Sequence, residues 1–174
     1  MNLLKLRILP LMLVLLGIMA ACTSQTPETT ETAAPEWFSA RQATEGYVNV
    51  AAAETDGYAA ITDCIANPAL GAMGIHYANE ALLADPALDV TQPEVLMYHP
   101  LSDGRLELVG VEYLIPGPAW SEADPPTILG RELEYREELD LYALHLWAWR
   151  NNPNGLYADW NPNLDCAGAD AAEG

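Results

Sequence analysis

The chain has 174 residues, with 25 acidic against 7 basic side chains and a formal net charge of −18 at pH 7. That length allows one domain with a real core. So few cations exclude a nucleic-acid binder working through a basic patch, because neutralising phosphates needs clustered Lys and Arg; they also argue against electrostatic attachment to anionic lipid.

Lys5 and Arg7 precede every acid, the first of which is Glu28. An almost wholly apolar run, Ile8 to Met19, follows and ends in Ala20-Ala21-Cys22. A basic start, an apolar stretch and small residues at a cut site read as a secretory signal peptide over residues 1–21. The run is shorter than the about 20 apolar residues a membrane-spanning helix needs. Met19-Ala20-Ala21-Cys22 resembles the bacterial lipobox. The resemblance implies that Cys22 becomes the new N-terminus and carries thioether-linked diacylglycerol, with fatty acids of the palmitate kind. The expectation is an exported protein, lipid-anchored to the outer face of a bacterial membrane in the cell envelope, with that membrane as its partner. The other reading is an ordinary cleaved signal that leaves a free thiol near the end. Beyond Ala21 the chain keeps five arginines, no lysine and all 25 acids.

Residues 22–36 are rich in Thr, Glu and Pro and lack any large apolar side chain, so they read as lipidated Cys22 plus a disordered tether. The folded domain is expected over 37–166, with a flexible tail at 167–174. Phe38 to Thr55 contains no proline, and its spacing of Ala43, Tyr47, Val50 and Ala51 predicts one helix ended by Asp56-Gly57. Gly46 and Asn49 sit awkwardly within it. The stretch 58–77 reads as irregular, broken by Asn67-Pro68 and two glycines. Asn79 is placed to cap a short helix reaching Ala84, before Asp85-Pro86. Residues 94–99 and 105–115 read as strands joined by a loop containing Asp103-Gly104. Residues 116–126 form a proline-bearing loop, 131–138 a charged edge, and 139–149 a strand apolar on both faces. The Asn-, Pro- and Gly-rich remainder is loop. The fold class is α+β: one N-terminal helix packed on a small antiparallel sheet, the loop-rich C-terminus tied back by a disulfide.

With Cys22 taken by lipid, Cys64 and Cys166 remain, and two leftover cysteines in an exported protein usually pair. Two free thiols or thiolate metal ligation are the alternatives. Several segments together are similar to a family of uncharacterised exported bacterial proteins. They include Asp56-Gly57-Tyr58, residues 73–79 (MGIHYAN), 93–98 (PEVLMY) and Val111-Glu112-Tyr113. Residues 144–149 (LHLWAW), Asn152-Pro153-Asn154-Gly155 and Trp160-Asn161-Pro162 before Cys166 continue the likeness. The resemblance implies fold and compartment more than mechanism, and its one cysteine near each end of the domain agrees with the pairing.

The residues richest in chemistry are His76, Glu112 and His145. The chain has three histidines, and His76 and His145 sit in strongly apolar sequence. Alternation places Glu112 on one strand face with Leu106, Leu108 and Leu114, and His145 with Leu141, Ala143 and Trp147. A carboxylate there needs a solvated face or a buried partner. Two imidazoles and a carboxylate can hold zinc or a similar divalent ion and leave a position open for water. The competing reading makes each histidine a hydrogen-bonded core or rim residue, with Glu112 paired to an arginine or to one of them. Convergence of the three side chains within about 5 Å separates the two readings, since zinc–ligand bonds are near 2 Å.

No serine sits in a nucleophile elbow and no phosphate-binding glycine loop is present, so enzymatic signatures are lacking. Trp149, Tyr157 and Trp160, among many asparagines, suggest an edge able to stack on sugars or grip a peptide. The alternative is that the tryptophans are core and the asparagines make turns. The sequence therefore favours a non-catalytic binding or structural module, with the metal-binding protein or metal-dependent enzyme as its rival.

Overall fold

The computed structural model describes residues 34–169. The signal segment 1–21, Cys22, most of the tether and the end of the tail lie outside the described residues. Among the described residues, no helix is long and apolar enough to cross a membrane.

The single predicted helix is three short pieces: α1 (Trp37–Ala43), a 3-10 turn (Glu45–Val48) and α2 (Val50–Thr55). Side chains that compete with the helical backbone cause the breaks. The Thr44 hydroxyl donates back to the Ala40 carbonyl at 2.8 Å. Asn49 takes an extended backbone, and its side chain accepts the Ala51 N–H, which starts α2 afresh.

Residues 58–77, expected to be irregular, instead build three strands: β1 (Tyr58–Ala60), β2 (Ile65–Asn67) and β3 (Gly71–Asn79). The glycines that suggested a break are places where other backbone comes too close for a side chain. Gly74 has φ +97°, and a Cβ there would run into the Tyr98 carbonyl oxygen; Gly71, at φ +100°, lies equally close to the Asn161 carbonyl. Asn79 caps α3 (Glu80–Leu83) as expected, accepting the Ala81 N–H at 3.0 Å.

Strands β4 (Val95–Pro100) and β5 (Leu106–Pro116) form the predicted hairpin. A small ribbon, β6 (Thr127–Ile128) with β7 (Arg131–Glu132), precedes β8 (Glu134–Arg136) and β9 (Leu141–Leu146). The main sheet has seven antiparallel strands in the order β1-β3-β4-β5-β9-β8, with β2 also paired to β3. The charged stretch thus supplies the edge strand β8. Strand β9 is interior, between β5 and β8, but ends at Leu146: the Trp149 and Arg150 N–H groups turn to the Val109 carbonyl.

Both sheet faces are covered. One carries Leu96, Tyr98, Leu108, Val111, Tyr113, Leu144 and Leu146, packed against Trp37, Tyr47 and Val50 of the helical segment. On the other, Met97, Val109 and Trp147 pack against Leu164 and Cys166, and Ala78, Val95 and Leu114 against Leu141. A bulge in β5 corrects the simple alternation. Met97 pairs with Gly110 and Tyr98 with Leu108, so Val109 is the extra residue. Leu106 and Leu108 therefore join the Val111 face, and Glu112 keeps Leu114 but not those two leucines as neighbours.

Cys64 and Cys166 are disulfide-bonded across 102 residues, with Cα atoms 5.7 Å apart. The bridge ties the C-terminal loop to the segment entering β2. The α+β class, the antiparallel sheet and the tied-back C-terminus are all present; the lone N-terminal helix is the part that differs.

Candidate metal centre

Glu112 and His145 are direct cross-strand partners on β5 and β9. In the same row lie Ala78 and Val95, which Leu141 covers. His76 is one step away: it pairs with Met97, which pairs with Gly110. It reaches Glu112 over the intervening strand β4, their side-chain tips closing to 3.8 Å. Strand pairing therefore assembles three residues spread over 70 positions of sequence.

The Glu112 carboxylate bridges both imidazoles. Oε1 is 3.3 Å from His145 Nε2 and Oε2 is 3.8 Å from His76 Nε2. All three side chains are buried, and their ligand atoms lie within 4.8 Å of one another. A tetrahedral ion with bonds of about 2.0–2.1 Å holds its ligand atoms about 3.3 Å apart. The Glu112–His145 contact already has that spacing, and His76, within 4.8 Å of the other two ligand atoms, has to close in to complete it. The three side chains form a buried group able to hold a metal ion.

The far side of each imidazole faces a polar group. The Thr62 hydroxyl lies 3.4 Å from His76 Nδ1 and accepts the His76 backbone N–H at 3.1 Å. Asp159 Oδ1 lies 3.7 Å from His145 Nδ1, which has no hydrogen bond otherwise. Asp159 is itself held by Arg136 at 2.5 Å, and Arg136 also reaches Glu134 at 3.2 Å. Hydroxyl and carboxylate groups behind metal-binding imidazoles fix ring orientation and tautomer.

The charges are unequal. Burial opposes ionisation of Glu112, but attraction and hydrogen bonding from His145, with help from His76, outweigh it and hold the carboxyl below its ordinary range. Burial also opposes the His145 cation, yet Glu112 and then Asp159 raise its pKa. For His76 burial wins over the pull of Glu112, so its pKa is lowered. That shift favours the neutral His76 imidazole, with a ring nitrogen available to a metal. The opposite shift favours a proton on His145, which a metal would have to displace.

The centre forms the floor of a cavity of about 320 Å³. Ile61, Ile65, Met73, Leu139, Leu141 and Trp160 line its walls, and Thr62, Arg136 and Asp159 add the polar groups. Sequence reading missed Thr62, Arg136 and Asp159, which sit in a loop, an edge strand and an Asn-rich turn with no spacing signal. It also missed Glu94, which is 1 % exposed. Burial raises the Glu94 pKa to about 7, opposed by hydrogen bonds that include the Leu114 N–H at 3.1 Å.

The three aromatics expected at one edge lie apart. Trp149 packs against the core beneath Arg41, 4.2 Å from the ring centre, and its indole N–H donates to Thr44. Tyr157 packs against the same core with Arg131 at 4.9 Å, whereas Trp160 lines the cavity on the opposite sheet face. The asparagines make turns. Buried Asn161 donates to the Asn151 carbonyl and accepts the Asn163 N–H, and Asn152 donates to the Trp160 carbonyl.

No protein family, curated protein or solved structure matches this chain.

Proposed function

We propose that this protein is a divalent-metal-binding protein of the bacterial cell envelope, held to the membrane by lipid on Cys22. The observation that carries the metal reading is the convergence of His76, Glu112 and His145 within 4.8 Å on a buried sheet face. Two imidazoles and one carboxylate suit zinc or a similar ion and leave a coordination position open toward the cavity. The other charged groups lining that cavity, Asp159 and Arg136, hold each other. That pairing favours binding over proton transfer, so the reading is of a binding protein. The export signal, the lipobox-like Met19-Ala20-Ala21-Cys22, the tether and the resemblance to exported bacterial proteins support the compartment.

Chelator-stripped protein titrated with zinc should take up one ion per chain in the buried centre, and His145→Ala and Glu112→Gln should lose it. Uptake that those substitutions leave unchanged refutes the assignment. Incorporation of labelled fatty acid should vanish in Cys22→Ala; equal incorporation removes the anchor. A second reading rests on the 3.3 Å Glu112–His145 contact. In it, the group is a buried ion pair that fixes the register of β5 and β9 in a structural module. Failure to bind metal favours that reading.

A further inference from the structure

The cavity above the centre has a composition that its floor alone does not explain. Its walls are aliphatic and aromatic, and its rim exposes Ile61 and Leu139, which are 56 % and 69 % accessible. Exposed large hydrophobics are few among the described residues, and these two line the same opening. Its volume, about 320 Å³, has space for roughly ten methylene- or water-sized groups. The polar groups are those of the floor and the Thr62, Asp159 and Arg136 side chains behind its two imidazoles.

The floor also sets the charge of what can enter. Two cationic groups line the cavity among the described residues, and both are committed: Arg136 to Asp159 and Glu134, and protonated His145 to Glu112 and Asp159. Without a metal, an anionic head group would meet the Glu112 carboxylate with no free cation to offset it. A divalent ion on neutral His76 and His145 and ionised Glu112 leaves one net positive charge facing the open position. A single carboxylate neutralises that charge, and an apolar chain behind it fills the walls.

We infer that the site takes an apolar monocarboxylate, a medium-chain fatty-acid-like molecule whose carboxylate coordinates the bound ion and whose chain lies between Ile61, Ile65, Met73, Leu139 and Trp160. This inference rests on the metal reading and goes further, to the ligand. It makes carboxylate binding metal-dependent and chain-length-dependent at once, because the head needs the ion and the tail needs the walls.

Cobalt(II) is the probe, since its visible absorption reports a change of ligand at the open position. A cobalt titration of the purified chain comes first, followed by octanoate and acetate. Octanoate should perturb the cobalt spectrum saturably at concentrations about tenfold or more below acetate. It should leave the tryptophan fluorescence of the metal-free protein unchanged. Replacing the exposed rim residues, Ile61→Ser with Leu139→Ser, should weaken octanoate about tenfold without altering cobalt affinity. Absence of cobalt uptake overturns the metal reading and this inference together. Cobalt uptake with octanoate no better than acetate, or octanoate binding equally to metal-free protein, overturns this inference alone.

Discussion

Glu94→Gln should change how the stability of this protein responds to pH. Glu94 precedes β4, is 1 % exposed, and accepts the Leu114 N–H at 3.1 Å. Burial raises its pKa from 4.5 to about 7, and the nearby Glu112 adds to the rise. A carboxyl whose folded pKa is raised contributes most below its unfolded pKa, and that contribution is lost as pH rises toward the folded pKa. Between pH 5 and pH 8 the unfolded chain ionises fully while the folded protein resists. Wild type should therefore lose about 2.5 kcal/mol over that window from this group, at about 1.36 kcal/mol per pKa unit. The glutamine carbonyl can still accept the Leu114 N–H, and any constant cost of the buried amide is the same at both pH values. Urea unfolding of both proteins at pH 5 and pH 8 isolates the difference. Glu94→Gln should gain about 2.5 kcal/mol on wild type between the two pH values. Parallel pH dependences would refute the argument from burial.

Three further predictions test other links. Replacing Cys64 and Cys166 together by Ala should cost about 4–5 kcal/mol by the chain-entropy relation for a loop of this length, read as a fall in the urea midpoint; an unchanged midpoint contradicts it. Gly74→Ala should cost about 2 kcal/mol or more, because φ is +97° and a Cβ would meet the Tyr98 carbonyl, and thermal unfolding within error of wild type would remove that constraint. Zinc binding should strengthen as pH rises, because Glu112 holds a proton on His145 that the ion must displace. Calorimetry at pH 6 in buffers of different ionisation heat should show protons released on zinc binding, and buffer-independent heats would contradict it.

Much of the fold was legible in the sequence because the signals were local. Asp103-Gly104 between two apolar runs marks the β4–β5 hairpin, Asn79 marks the start of α3, and the charges of 131–138 mark an edge. The errors occur where tertiary contact overrides local preference. Gly71 and Gly74 look like breakers in isolation but are required where β3 meets the Asn161 and Tyr98 carbonyls. The β5 bulge is a single extra residue, Val109, that no alternation pattern reveals. Thr44 and Asn49 divide the helix because their side chains bond its backbone, at the Ala40 carbonyl and the Ala51 N–H, and the Thr44 hydroxyl also accepts the Trp149 indole N–H.

The site divides along the same line. His76, Glu112 and His145 stood out as polar side chains in apolar strands, a mismatch that demands a partner. Which partner depends on sheet register, visible only once β3, β4, β5 and β9 are in order. Thr62, Asp159 and Arg136 carry no such mismatch, since each belongs to a polar stretch. Thr62 and Asp159 come from the segments the disulfide ties over the sheet face, and Arg136 from the edge strand β8. The acidity of the chain, by contrast, fits solubility in high salt or repulsion from an anionic bilayer, while Glu112 is exempt because its charge is buried and paired.

The central claim is that His76, Glu112 and His145 hold one divalent ion. The most direct test is a crystal of the protein soaked with zinc, with diffraction recorded on either side of the zinc absorption edge. The account predicts an anomalous peak about 2.0–2.2 Å from His76 Nε2, His145 Nε2 and a Glu112 carboxylate oxygen, at the floor of the apolar cavity. An ordered site elsewhere on the acidic surface, with the Glu112–His145 contact intact and no zinc between the three side chains, would contradict it.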